Sequence, residues 1–333
     1  MEKRLLQKAF DALQNIAAEE ELKEGLGEIL SEILEDTVRL DAAVQMYRYY
    51  FDREIPFGRE LAKDGENIQQ GRISTAVFFA RALWLDREKR YELPTGAGDF
   101  AAQFLRFLRE NKEKYGHYAM IGDSRFLGYA YTFPYIFRLG RLEFEIATFA
   151  YPYRVYGERG RIWALAEQTI TEENGIVTGR QYREDGLELG EKVTLYAPEC
   201  LLTQGDPVLS VHIPGSEKMT EELVDASFAQ VPGFFGRYFP KMQFKGYICS
   251  SWMLNKDLSR FLREESNILR FQKRFQVPFR QRYDGALFHY IFHLPKASPL
   301  EELVPQNRFQ REILEYVKAG GILYSGRGFC LRK

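Results

Sequence analysis

Gly205-Asp206-Pro207-Val208-Leu209-Ser210-Val211-His212-Ile213-Pro214-Gly215-Ser216-Glu217-Lys218-Met219 carries the reading on which the fold turns. Gly205-Asp206-Pro207 is a turn signal, and Val208 to Ile213 has strand composition. Pro214-Gly215-Ser216 breaks the strand, and Thr220-Glu221-Glu222 opens a run of helical period with an acidic first turn. The stretch predicts a βα junction. Such a junction offers backbone N–H groups and the positive end of a helix dipole to an anion such as a phosphate.

Strands and helices alternate on both sides of it. Upstream, Leu142-Glu143-Phe144-Glu145-Ile146 alternates strictly, which predicts a strand with its apolar residues on one face and Glu143 and Glu145 on the other. Arg161–Ile170 and Glu191–Tyr196 read as further strands in a hairpin-like insertion over about 151–200. Downstream come a helix over Glu221–Tyr238, a strand over Gln243–Trp252 and a mainly helical stretch over Leu258–Phe275. A strand over Ala286–His293, a helix over Glu301–Lys318 and a closing hairpin from Ile322 follow.

The first part of the chain has a different character. Leu22, Leu26, Ile29, Leu30, Ile33 and Leu34 recur at three- and four-residue spacing, so residues 1–52 read as helix. Ile73–Leu85 is apolar almost all round and predicts a buried helix, and Phe100–Phe107 another. Asp123–Tyr135 is crowded with aromatics. The fold class expected is α+β: an all-α domain over 1–135, then a mixed β-sheet flanked by helices over 136–333.

Composition bounds the function. At 333 residues the chain suits about two domains. Its 46 Lys and Arg against 47 Asp and Glu lack the basic excess of a nucleic-acid or membrane-surface protein. Cys200, Cys249 and Cys330 are too scattered for a disulfide framework or a metal site. No apolar run has signal-peptide or membrane-spanning length, so the expected location is cytoplasmic. His289 and His293 lie on a predicted strand without a third ligand, so no metal is expected.

Four runs carry a family resemblance. They are Gly122-Asp123-Ser124-Arg125-Phe126-Leu127-Gly128 leading into Phe137–Glu145; Gly205–Pro214; Cys249-Ser250-Ser251-Trp252-Met253-Leu254 with Ser266-Asn267-Ile268; and Leu294-Pro295 with Ser298, Leu300 and Ala319-Gly320-Gly321. In order and spacing the chain resembles bacterial acyltransferases with a helical N-terminal domain and a GNAT-like C-terminal domain. The resemblance implies that acyl-CoA, acetyl-CoA above all, lies where Val208–Ile213 splays from Tyr247–Trp252, its diphosphate over the following turn. It also implies direct attack by an amine, with a base for the amine and an acid for the thiolate. Asn267 matches a family position, whereas Phe271 or Phe275 stands where a proton-donating Tyr is common.

The candidate site follows. Ile213, Gly215, Ser216, Lys218 and Met219 bind the cofactor, or form an ordinary helix start with a solvated lysine. Asn267 joins them through the resemblance. His212 is a base, or a histidine satisfied within the sheet. Glu145 or Glu143 is a base, or an ion-pair partner on a strand face. Cys249, beside the hydroxyl candidate Ser250, is a nucleophile or an inert buried thiol. The expected acceptor is an amine of a small molecule or peptide. The alternative is a non-catalytic protein that binds CoA or a nucleotide.

Overall fold

The computed structural model describes residues 2–16, 18–52, 68–88, 100–120, 136–214, 218–294 and 297–332. The chain divides into two compact units, Met1–Phe137 and Arg138–Lys333.

The described part of the first unit is helical. It contains α1 (Glu2–Ala12), α2 (Glu20–Glu35), α3 (Thr37–Tyr47), α4 (Ile68–Glu88) and α5 (Phe100–Tyr115). Of the expected stripe on α2, Leu22, Leu26, Ile29, Leu30 and Ile33 are buried, and Leu34 packs half-buried beside them. α3 begins where the Asp36 carboxylate accepts the Val38 and Arg39 N–H groups at 2.9 and 3.1 Å. α4 is longer than expected and buries Ala76, Val77, Phe78 and Phe79 completely, as an all-round apolar helix must. Each such Phe stabilises the fold by about 1.5–3 kcal/mol. Arg72 on α4 grips Glu32 on α2 with two hydrogen bonds of 2.9 and 2.6 Å. Asp123–Tyr135 lies outside the described residues.

Two sheets form the second unit, together with Ile136 and Phe137. Their strands in chain order are β1 (Ile136–Leu139), β2 (Leu142–Thr148), β3 (Tyr153–Glu158), β4 (Arg161–Ala166), β5 (Thr171–Glu173) and β6 (Ile176–Tyr182). There follow β7 (Leu189–Tyr196), β8 (Glu199–Leu202), β9 (Pro207–His212), β10 (Gly246–Ser251), β11 (Gln276–Arg282) and β12 (Tyr324–Leu331). The first sheet runs β1-β2-β9-β10-β12-β11, with β9 and β10 parallel. The second runs β5-β6-β4-β3-β8, with β7 also on β6. The helices are α6 (Glu221–Tyr238), α7 (Asn267–Gln272) and α8 (Arg308–Lys318).

The stretch expected as a hairpin-like insertion is this entire second sheet. It closes on itself at a neck, where Phe149 N–H donates to Asp206 O at 2.8 Å and Gly205 N–H to Phe149 O at 2.9 Å. Val208, Ile248 and Phe329 of the first sheet pack against Tyr153, Val155 and Ala164 of the second. The β6–β7 turn is clasped to β11: Arg280 donates to Asp257 Oδ2 at 2.6 Å, to Asn255 Oδ1 at 3.0 Å and to the Asp185 carbonyl. Gly186 makes that approach possible, because a Cβ there would strike the Arg280 side chain.

Other expectations need correction. Ala286–His293 is not a strand but contains a π-helical turn, Leu287–Ile291. Leu287 and Ile291, four residues apart, are the buried pair, so helical period overrides β-rich composition. Leu258–Phe275 has only the short α7 and the 3₁₀ turn Lys256–Arg260 as helix. Of the stretch expected as one helix from Glu301, only Arg308–Lys318 is α-helical, opened by the Asn307 side chain. The closing hairpin is a single strand, β12. Gly326 makes no turn there; a Cβ on it would lie 2.6 Å from the Leu254 carbonyl, so it serves close packing.

Candidate active site

β9 and β10 set the site by how they part. Their parallel ladder holds only Leu209 against Tyr247 and Ser210 against Ile248. Beyond those pairs each strand keeps to its other neighbour. Val211 and His212 pair with Phe144 and Glu143 of β2, and Cys249, Ser250 and Ser251 pair with Gly328, Arg327 and Gly326 of β12. A gap therefore opens after Ser210 and Ile248, bordered by backbone groups without a ladder partner across it. Such groups need a partner from elsewhere.

Pairing also sorts side chains by face, since registered residues share one. Phe144, Leu209, Val211, Tyr247 and Cys249 face α6. Phe228 of that helix packs edge-on against Phe144 and Tyr247 at 5.4 and 5.0 Å. Ser227 receives the N–H groups of Arg141 and Leu142 at 2.9 and 3.3 Å, fixing α6 to the start of β2. The opposite face carries Glu143, Glu145, Ser210, His212, Ile248, Ser250 and Arg327. At its Val208 end the second sheet covers this face.

The two faces separate the candidates. His212 Nε2 lies 2.7 Å from Glu145 Oε2, with the side chains 25% and 30% exposed. A carboxylate accepts only, so the ring donates its Nε2–H to Glu145. Glu143, directly across from His212, is buried. Ser250 is exposed on the same face as His212. Cys249 points the other way, and burial pushes its thiol up to about 12. A protonated thiol on the α6 face is ill placed to form an acyl-enzyme beside His212.

On the cofactor side, Ile213 is half-buried, Met219 is buried and Lys218 is exposed. The Lys218 carbonyl accepts from Arg141 Nε at 3.0 Å. Gly215 and Ser216 lie outside the described residues. The first turn of α6 is partly occupied by its own side chains. Thr220 Oγ1 accepts the Leu223 N–H, and hydrogen bonds to its own N–H and to Thr220 hold the Glu222 carboxyl below its usual range. Asn267 is exposed at the start of α7. Phe271 and Phe275, 5.2 Å apart, are both core.

Sequence reasoning missed Arg327. It falls in the stretch expected as a closing hairpin from Ile322, although its alternation with Gly326 and Gly328 is what a strand packed closely on one face requires. An open cleft of about 780 Å³, lined by Pro232, Phe235, Phe244, Lys245 and Arg332 among others, lies at the other end of the first sheet. Lys245 donates there to the carbonyl of Pro207, the first residue of β9, so the cleft is remote from His212. Among the described residues no cluster of His, Cys, Asp or Glu could hold a metal, and no helix is long and apolar enough to cross a membrane.

A mixed sheet whose parallel pair parts midway, backed by the helix that follows the first of those strands, defines a GNAT-like acyltransferase fold. The chain belongs to the family of the GNAT-like C-terminal domain, which matches residues 136–330. Three solved structures share its architecture. An acyltransferase in complex with decanoyl-CoA and teicoplanin is 19% identical, with a TM-score of 0.62 over 98% of this chain and 88% of that one. An acyltransferase mutant in complex with octanoyl-CoA is also 19% identical, with a TM-score of 0.63 over the same shares. An acyltransferase with decanoyl-CoA is 17% identical, with a TM-score of 0.60 over the whole of both chains. No curated protein matches the chain significantly. The expected helical front and GNAT-like mixed sheet are the architecture found.

Proposed function

We propose that this protein transfers an acyl group from acyl-CoA directly to an amine. The observation that carries the reading is the His212–Glu145 pair at the edge of the gap between β9 and β10. A thioester lying in that gap meets the strand amides that border it, and these polarise its carbonyl. The amine attacks the carbonyl carbon while His212 takes its proton, and Glu145 holds the ring and offsets the imidazolium charge. Collapse of the tetrahedral intermediate breaks the C–S bond, and the CoA thiolate leaves and is protonated.

Ile213, Gly215, Ser216, Lys218 and Met219 are the residues assigned to the diphosphate end of the donor, with Asn267 near it. Sequence reasoning favours acetyl-CoA, whereas the solved relatives of the fold hold octanoyl-CoA and decanoyl-CoA, so donor length is part of the test. A thiol-release assay with acetyl-, octanoyl- and decanoyl-CoA against a panel of amines and peptides, paired with thermal shifts, is expected to show turnover with one donor class. Donor binding with no thiol released would favour the non-catalytic reading. No shift with any donor would defeat both.

A further inference from the structure

Arg327 stands on the same face as His212 and Glu145, two strands away across β10. Its guanidinium lies 5.7 Å from the ring centroids of both Tyr151 and Phe279. Nη2 donates to Gln281 Oε1 at 2.7 Å, a neutral acceptor. Among the described residues no carboxylate comes within ion-pair distance of it, although its side chain is only partly exposed. Burial raises the phenols of Tyr151 and Tyr153, and the Arg327 charge opposes that effect at both. An arginine has five N–H donors in a fork that fits a carboxylate. Here most of that capacity faces no anion among the described residues, beside two aromatic rings.

We propose that Arg327 receives the carboxylate of the acceptor, and that the acceptor is a short peptide or peptide-like amine with a free carboxylate. This rests on the acyl-transfer reading above. Two strand spacings, roughly 10 Å in a closed ladder, separate the strand of His212 from that of Arg327, and the parting of β9 from β10 and the lean of the guanidinium onto Gln281 of β11 lengthen that reach. An extended chain spans about 3.3–3.6 Å per residue, so an amine at His212 and a carboxylate at Arg327 belong to a molecule at least two or three residues long. A single α-amino acid is too short to reach both. Tyr151 and Phe279 suit an apolar or aromatic side chain near that carboxylate.

The test uses the full-length protein at saturating acyl-CoA with glycyl-phenylalanine, glycyl-glycyl-phenylalanine and their C-terminal amides. The wild type is expected to favour each acid over its amide by about tenfold in kcat/KM, almost all of it in KM. Arg327→Gln is expected to erase that preference while leaving kcat for the amides within twofold, and Arg327→Lys to restore part of it. Because the acid-to-amide ratio is read within one variant, partial loss of folded protein does not imitate the result. Equal use of acid and amide by the wild type overturns the proposal and leaves acyl transfer standing, as does a preference that survives Arg327→Gln. Acyl transfer to other amines but to none of these peptides overturns it in the same way. Absence of transfer to every amine overturns both readings together.

Discussion

Replacing Glu145 with Gln isolates what its charge contributes. Gln has the same length and its amide oxygen can still accept from His212 Nε2–H, so geometry is kept and the negative charge is lost. Hydrogen bonds to charged groups are worth about 1.5–3 kcal/mol. The two side chains are 25% and 30% exposed, which places this pair at the weak end of that range. About 1.5 kcal/mol is roughly a tenfold loss in kcat. His212→Gln removes the base itself and is expected to cost roughly 100- to 10,000-fold. If Glu145 acts only through His212, the double variant loses no more than His212→Gln alone. The assay is thiol release at saturating donor and acceptor, with circular dichroism to verify folding. Losses that multiply in the double variant, or a Glu145→Gln protein with unaltered kcat, would refute the dyad.

Two further outcomes concern stability. Arg280→Met leaves Asp257 without its 2.6 Å partner in a largely buried setting, and is expected to cost about 3–5 kcal/mol in urea unfolding; a loss below 1 kcal/mol would show that the clasp on the β6–β7 turn is dispensable. Burial pushes the folded Cys249 thiol up to about 12 from an ordinary 9.0, so the folded state holds its proton where the unfolded state has released it. Its contribution is complete below pH 9 and declines as pH rises towards 12. Between pH 9 and 10 the stability difference between wild type and Cys249→Ala should therefore fall by about 1 kcal/mol, and an unchanged difference would contradict the assigned burial.

Much of this was legible in residue order, for identifiable reasons. The alternation of Leu142–Ile146 and the turn signals around Val208–Ile213 are local, and local pattern suffices to place β2, β9 and the start of α6. The pairing of Glu145 with His212 was not legible, because it depends on the register of two strands whose side chains meet across 67 positions. Ala286–His293 misled because β-branched and aromatic residues suit a strand, while burial of Leu287 and Ile291 on one side imposes a helical turn. Glycines between Ser325 and Phe329 resemble a turn in sequence. Only the crowding of Gly326 against the Leu254 carbonyl reveals why they belong in a strand. Cys249 and Ser250 are adjacent in sequence, and only the sheet assigns them opposite faces.

The neck joining Phe149 to Gly205 and Asp206 bears on how the catalytic pair comes together during folding. Joining distant segments costs entropy that grows with the logarithm of the intervening length. Within the second sheet β3–β4, β5–β6 and β6–β7 pair consecutive antiparallel strands, and contacts of that local kind form early. Once folded, it pinches its own ends together and leaves β2 and β9 with little chain to close between them. The inserted module thus acts as an internal splint for the assembly of the dyad, and lesions far out on its strands will delay the maturation of a site they never touch.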